Sequence, residues 1–225
     1  MPLRAILFDL DGTLVDSEPV HHRMWNQVLA PYGHSISDED YRAHLSGVPA
    51  IQNAAWLIER HGLAAEPAAL ADAKNEAVRG HLQRERFPLM PGVPEALAAF
   101  DGLGLSLAVV TGARRAGALH ALDGLGLTPR FKFVLGADDV PRNKPAPDGY
   151  LEALRRLGLK PEQAVAIEDT HHGLQAAADA GLRCLALPNA YSRHHDFTRA
   201  TAVLGGMADA RAWIAAAAAA DAPRG

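Results

Sequence analysis

Cysteine is almost absent from this 225-residue chain. The single Cys184 excludes an internal disulfide and any zinc site built from several cysteines. Long hydrophobic runs are missing too. The longest, residues 212–220, is mostly alanine and falls far short of the roughly 20 residues of a membrane-spanning helix. There is no excess of basic charge: 22 Lys and Arg stand against 26 Asp and Glu, for a net charge of −4. That balance offers no general field for nucleic acid or acidic lipid, so neither nucleic acid nor membrane is an expected partner. A small anionic substrate needs only a local basic site and stays open. Residues 1–5 open no basic segment leading into an apolar core, so no secretory signal is read and the cytoplasm is the expected compartment.

What the chain does have is 48% hydrophobic and 21% charged residues, enough apolar surface to offset the entropy of ordering a globular fold. Short apolar runs at 3–9, 105–111, 133–136, 164–169 and 183–187 each end in polar residues. Consecutive apolar positions suit strands buried on both faces, as in a parallel sheet. Amphipathic patterns at 93–103, 114–125, 148–157 and 173–180 lie between them, and Gly104, Gly126, Gly158 and Gly181 follow, where left-handed helix C-caps favour glycine. Alternation of strand and helix predicts an α/β fold, a doubly wound, mostly parallel sheet with right-handed crossovers. Residues 17–86 break the rhythm. They carry helical patterns at 22–29, 51–60 and 67–84 and no strand run, so the reading is an α/β core domain of residues 1–16 and 87–225 with a smaller all-helical domain, 17–86, inserted in it. The proline-rich stretch 87–94 reads as the return linker. The last helix is expected to fray near Asp221.

Open α/β sheets bind ligands at the carboxyl ends of their strands, so the residues that end each run carry the chemistry. The first run ends Phe8-Asp9-Leu10-Asp11-Gly12-Thr13 and the fourth ends Glu168-Asp169-Thr170. Acids gathered at two strand ends repel unless a cation or proton sits among them. Magnesium, which prefers oxygen ligands, suits them better than zinc. The second run ends Thr111-Gly112, where a hydroxyl and backbone N–H groups can hold a phosphate before a helix N-terminus. Lys144 follows the third run in the proline-stiffened Asn143-Lys144-Pro145-Ala146-Pro147. Taken singly, these short motifs are nonspecific.

Taken in order, Asp-Leu-Asp-Gly-Thr, Thr-Gly, Lys-Pro-Ala-Pro-Asp and Glu-Asp resemble the four motifs of the haloacid dehalogenase superfamily. The helical insert after the first motif is similar to that superfamily's cap in the group of β-phosphoglucomutase and phosphoglycolate phosphatase. The resemblance implies that Asp9 is a nucleophile forming an aspartyl phosphate. It makes Asp11 the group that protonates the leaving alcohol and then deprotonates water. Thr111, Gly112 and Lys144 would bind the phosphate. Asp9, Asp11 (through its backbone carbonyl), Glu168 and Asp169 would surround Mg2+, with Glu168 in direct contact or one shell out. The insert would select the substrate, with Glu18, His21 and Gly47 as contacts, and Arg114 beside the core motif as another. The expected substrate is a small phosphorylated metabolite, a sugar or sugar-acid phosphate, and the expected state a monomer or homodimer. A mutase of the β-phosphoglucomutase type is the nearest alternative, and a non-catalytic phosphate-binding regulator a more distant one. Against the mutase, Ala50 stands where that enzyme's cap loop carries an arginine for the second phosphate.

The remaining features read as structure. His21–His22, His171–His172 and His194–His195 are adjacent pairs whose side chains diverge on a helix or strand, which makes them poor chelators. Cys184 reads as a small core residue, and Trp25, Trp56 and Trp213 as packing.

Overall fold

The computed structural model describes residues 2–220; Asp221, where fraying is expected, lies outside the described residues. The chain opens with β1 (Ala5–Phe8) and runs through four helices, α1 (Glu18–Leu29), α2 (Asp38–His44), α3 (Ala50–His61) and α4 (Pro67–Leu82). It returns through α5 (Val93–Asp101) to β2 (Ser106–Val110), α6 (Arg115–Gly124), β3 (Val134–Leu135) and α7 (Asp148–Leu157). Then follow β4 (Ala164–Glu168), α8 (His171–Asp179), β5 (Arg183–Ala186), β6 (Ala202–Val203) and α9 (Met207–Ala220). Two compact units divide between Asp16 and Ser17 and again between Phe87 and Pro88.

The first unit is built on one parallel sheet in the order β3-β2-β1-β4-β5-β6. After β1 the chain adds β2 and β3 on one side, then crosses back to add β4, β5 and β6 on the other. The reversal falls between β1 and β4, where an open α/β sheet leaves a crevice at its carboxyl edge. Phe8, the last residue of β1, is in register with Val109 of β2 and Ile167 of β4, so the chain segments leaving β1 and β4 start from the same level. All of β1 is buried, which is why its sequence shows no alternation. Ala5 and Leu7, with Ala108, Val110, Ala164 and Ala166, form one face packed with Tyr150 and Leu154 of α7 and Leu174 of α8. On β1's other face, Phe8 meets the rings of Phe100 and Phe131 at 6.1 and 6.0 Å.

The sheet has one strand more than the sequence suggests. The two-residue β6 pairs with Leu185 and Ala186 of β5 at the sheet edge, where its half-buried and exposed residues make no buried apolar run. Asp9, Thr111 and Asp169 lie just past their strands, because the chain leaves the ladder there and turns into the crevice.

In the helical unit α4 packs against both α1 and α3. Val20 and Met24 of α1, Ala54 and Leu57 of α3, and Leu70 and Lys74 of α4 are buried at the three- and four-residue spacing of a helix face, with Trp25 and Ala71 buried beside them. Ser37 caps α2 by accepting from Asp40 N–H at 3.0 Å. Phe87 closes this unit, its ring against His21 and His81. No helix among the described residues is long and apolar enough to cross a membrane.

Candidate active site

The carboxyl edge of β1 and β4 gathers a buried charged cluster. Lys144 reaches in from the loop before α7, and its three N–H donors go to Asp9 Oδ1 at 2.5 Å, Glu168 Oε1 at 2.7 Å and the Val110 carbonyl at 2.7 Å. Glu168 Oε1 also accepts from the Tyr150 hydroxyl at 2.5 Å, while Oε2 is buried without a hydrogen-bond partner. Glu168 lies over Gly173 of α8, where an added Cβ would come within 1.9 Å of Oε2. With Glu168 wholly enclosed, its carboxylate has nowhere to retreat. Gly173→Ala is therefore expected to cost about 1–3 kcal/mol, as overpacking of a close-packed interior does, read as a lower midpoint in urea or thermal unfolding.

Asp9, Glu168 and Asp169 each place a carboxylate oxygen within 4.8 Å of the others, all three buried. Burial is the main cause that holds the Asp9 carboxyl well above its ordinary range; Lys144 opposes it, and Glu168 and Asp11 add to it. Burial works against the charge on Lys144 as well, but Asp9 and Glu168 outweigh it and hold the ammonium above its ordinary pKa. Lys144 is thus a fixed cation in a cluster that remains short of positive charge. An all-oxygen donor set with that deficit fits a hard divalent cation and offers nothing to a soft one.

Gly12 turns the loop after β1 at φ +81°, where a Cβ would come within 2.2 Å of Asp169 Oδ2. Asp169 also lies beside Thr13, whose Oγ1 is 3.5 Å from Oδ1. Asp11 is half-buried in the same loop and bridges to Val15. Thr111 is buried and accepts from Ala113 N–H at 3.1 Å, which leaves its own O–H to donate. Gly112 is exposed, its carbonyl held by Asn143 Nδ2 at 3.1 Å. Arg114 is exposed at the N-cap of α6.

The other expected contacts lie in the helical unit. Glu18 is buried and accepts from the Tyr41 hydroxyl at 2.5 Å. His21 Nδ1 is 3.2 Å from Lys74 Nζ, and that ammonium also lies 5.8 Å over the Trp25 ring. Gly47 takes a positive φ of 71° in a turn that Asn53 braces by donating to the Leu45 and Val48 carbonyls.

Three residues at these places escaped the sequence reading. Tyr150 sits six positions after Lys144, on the first turn of α7, and only the packing of α7 under the sheet brings it to Glu168. Asn189 follows β5 and donates to Asp169 Oδ2 at 2.8 Å; asking of the fifth strand end what was asked of the first and fourth finds it. Lys74 is buried on α4, the helix that packs against α1. Of the histidine pairs, His21–His22 lies on α1, and the other two meet each other beyond β4 and β5. His171 N–H donates to His195 Nδ1 at 3.3 Å, and burial, followed by His194, His172 and His171, brings His195 down to about 4.

Lys144 bridges Asp9 and Glu168, and Asp169 lies beside them, so residues of the first, third and fourth motifs meet at one edge of the sheet. A family model for haloacid dehalogenase-like hydrolases matches residues 3–181. The chain belongs to this family. This haloacid dehalogenase-like hydrolase is 36% identical over 208 residues to protein CbbY of Rhodobacter capsulatus, covering 89% of this chain and 92% of that one. It is 38% identical over 178 residues to fructose-1-phosphate phosphatase YqaB of Escherichia coli, covering 79% and 93%. A crystal structure of a CbbY variant from Rhodobacter sphaeroides in complex with xylulose-1,5-bisphosphate matches it with a TM-score of 0.81 and 33% identity, over 92% of this chain and 96% of that one. This member of the haloacid dehalogenase family is an enzyme, a phosphatase.

Proposed function

We propose that the protein is a magnesium-dependent phosphatase that hydrolyses a small phosphorylated metabolite, a sugar or sugar-acid phosphate, through an aspartyl-phosphate intermediate on Asp9. The observation that carries this reading is the Lys144 ammonium held 2.5 Å from Asp9 Oδ1 at the β1 edge, which keeps a cation beside an attacking carboxylate. Relatives named for fructose 1-phosphate and phosphoglycolate, and a relative seen with a sugar bisphosphate, support the substrate class.

In the first half-reaction Asp9 forms a bond to phosphorus, the ester P–O bond breaks, and Asp11 gives its proton to the leaving alkoxide. In the second, Asp11 takes a proton from water as the water oxygen attacks phosphorus, and the bond to Asp9 breaks. Covalent catalysis thereby divides one difficult displacement into two easier ones. Lys144, the Thr111 hydroxyl and the Gly112 backbone hold the phosphoryl oxygens. Asp9, Asp169 and the Asp11 carbonyl would hold Mg2+, with Glu168 in direct contact or one shell out. When bound, the ion neutralises charge on the phosphoryl group and so lets one anion approach another. Glu18, His21 and Gly47, together with Arg114, are assigned to recognition of the organic part of the substrate.

The test is phosphate release from an aryl phosphate and from a panel of phosphometabolites. Activity is expected to vanish on exhaustive chelation and to return with Mg2+ but not with Ca2+, whose larger and looser shell misplaces the nucleophile. With β-glucose 1-phosphate and a trace of its 1,6-bisphosphate, free phosphate is expected as the main product. Full activity without a divalent ion overturns the cation assignment, and glucose 6-phosphate outpacing phosphate turns the reading to a mutase.

A further inference from the structure

One side chain ties together the segments that leave β1, β4 and β5. Asn189 Nδ2 donates to Asp169 Oδ2 at 2.8 Å and lies 3.3 Å from the Gly12 carbonyl. The amide is itself held in place. Its Oδ1 accepts from Tyr191 N–H at 2.8 Å, its backbone N–H donates to Ser192 Oγ at 3.1 Å, and its carbonyl accepts from Arg193 N–H at 3.1 Å. Ser192 is buried, so the turn over residues 189–193 is anchored at its base. Rotating the amide by half a turn would set Oδ1 against the Asp169 carboxylate and Nδ2 against Tyr191 N–H, two repulsive contacts in place of two hydrogen bonds. The donor face of Asn189 is therefore committed to Asp169.

We propose that Asn189 is a positioning residue that sets the affinity of this site for its divalent cation by fixing the orientation of the Asp169 carboxylate; the proposal rests on the assignment of Asp169 as a cation ligand. An amide suits the task because it orients the acid without neutralising it. A lysine or arginine there would compete with the cation for the same oxygens, and an apolar residue would leave the carboxylate free to turn away. The absence of a side chain at Gly12 is part of the same device. A Cβ there would lie 2.8 Å from Asn189 Nδ2 as well as 2.2 Å from Asp169 Oδ2, so glycine is what lets the amide and the acid meet beneath the β1 loop. Partners that orient a metal ligand commonly change affinity by about 10–100-fold when removed.

The experiment compares wild type with Asn189→Ala and Asn189→Ser. A serine hydroxyl can still accept from the N–H two residues on and so keep the turn, but it is too short to reach Asp169. Direct binding of Mn2+ is followed on the protein without substrate, by the electron paramagnetic resonance signal of the free ion, with Mg2+ as competitor. Thermal midpoints are measured without cation, and kcat at saturating Mg2+. Both variants are expected to bind Mn2+ and Mg2+ about tenfold more weakly or worse, with kcat at saturation within about threefold of wild type. Asn189→Ser is expected to stay folded, with a thermal midpoint no lower than that of Asn189→Ala. If either folded variant binds the ions within twofold of wild type, Asn189 only builds the turn and the proposal falls. If Asn189→Ala does not fold, Asn189→Ser decides alone. Wild type that binds neither ion removes the cation reading itself, and this proposal with it.

Discussion

Replacing Asp9 with asparagine is expected to lower kcat by about 10⁴-fold or more while leaving a folded protein, the size of loss seen when a covalent nucleophile is removed. The amide is nearly the same shape, so the buried pocket at the end of β1 stays filled, but its nitrogen and carbonyl oxygen cannot attack phosphorus as a carboxylate can. Lys144 would keep its bonds to Glu168 and the Val110 carbonyl, and the Asp9 oxygen could be replaced by the amide oxygen. The variant should therefore unfold near the wild-type midpoint. Beryllium fluoride with Mg2+ should bind at Asp9 in the wild type, observable by fluorine NMR, and not in the variant. Turnover of Asp9→Asn near the wild-type rate would rule out the covalent route.

Removing Lys144 is the second large effect, and it strikes stability as well as rate. Its ammonium is the shared partner of Asp9 and Glu168, with side-chain exposures of 10% for Lys144, 10% for Asp9 and none for Glu168. Breaking a buried ion pair by deleting one member leaves an uncompensated charge, at a cost of about 3–5 kcal/mol. Here two carboxylates lose their partner, and Asp169 stands within 4.8 Å of both. Lys144→Ala is expected to unfold at markedly lower urea concentration and to lose about 10²–10³-fold in kcat, the usual effect of deleting a fixed donor to developing charge. Mg2+ should raise the unfolding midpoint of Lys144→Ala more than that of wild type, because the ion then supplies the only strong positive charge in the cluster. Equal stability of the two proteins in urea would show that the pair contributes nothing net.

The strand ends were legible in the sequence for a simple reason. A parallel strand covered on both faces is apolar along its length, so the polar residues that end the run mark where the chain emerges into the crevice. Asp9, Thr111 and Asp169 all stand at such points, and Phe8 and Ile167 being in register brings two of them together. Lys144 was visible for another reason, since Pro145 and Pro147 after it stiffen its loop and keep it out of a helix or strand. What the sequence could not show is pairing across distance. Lys144 and Asp9 are 135 positions apart, and Asn189 and Gly12 are 177 apart. Tyr150 falls within the amphipathic pattern 148–157 with nothing to single it out, and its hydroxyl has a role only because Glu168 lies within reach. β6 left no signal because its two residues, half-buried and exposed at the sheet edge, form no buried apolar run such as marks the equally short β3.

The sequence by itself determined the α/β class, the helical insertion after β1 and the set of acids, hydroxyl and lysine available to the chemistry, because those follow from local pattern and from where buried strands end. Tertiary structure alone decided which of them share charge. It placed one ammonium among Asp9, Glu168 and the Val110 carbonyl, set Glu168 upon Gly173 and Tyr150, and turned the Asn189 amide onto Asp169. Those contacts depend on strand order and on the depth to which α7 and α8 pack against the sheet, quantities that arise only when distant segments bury their apolar faces together.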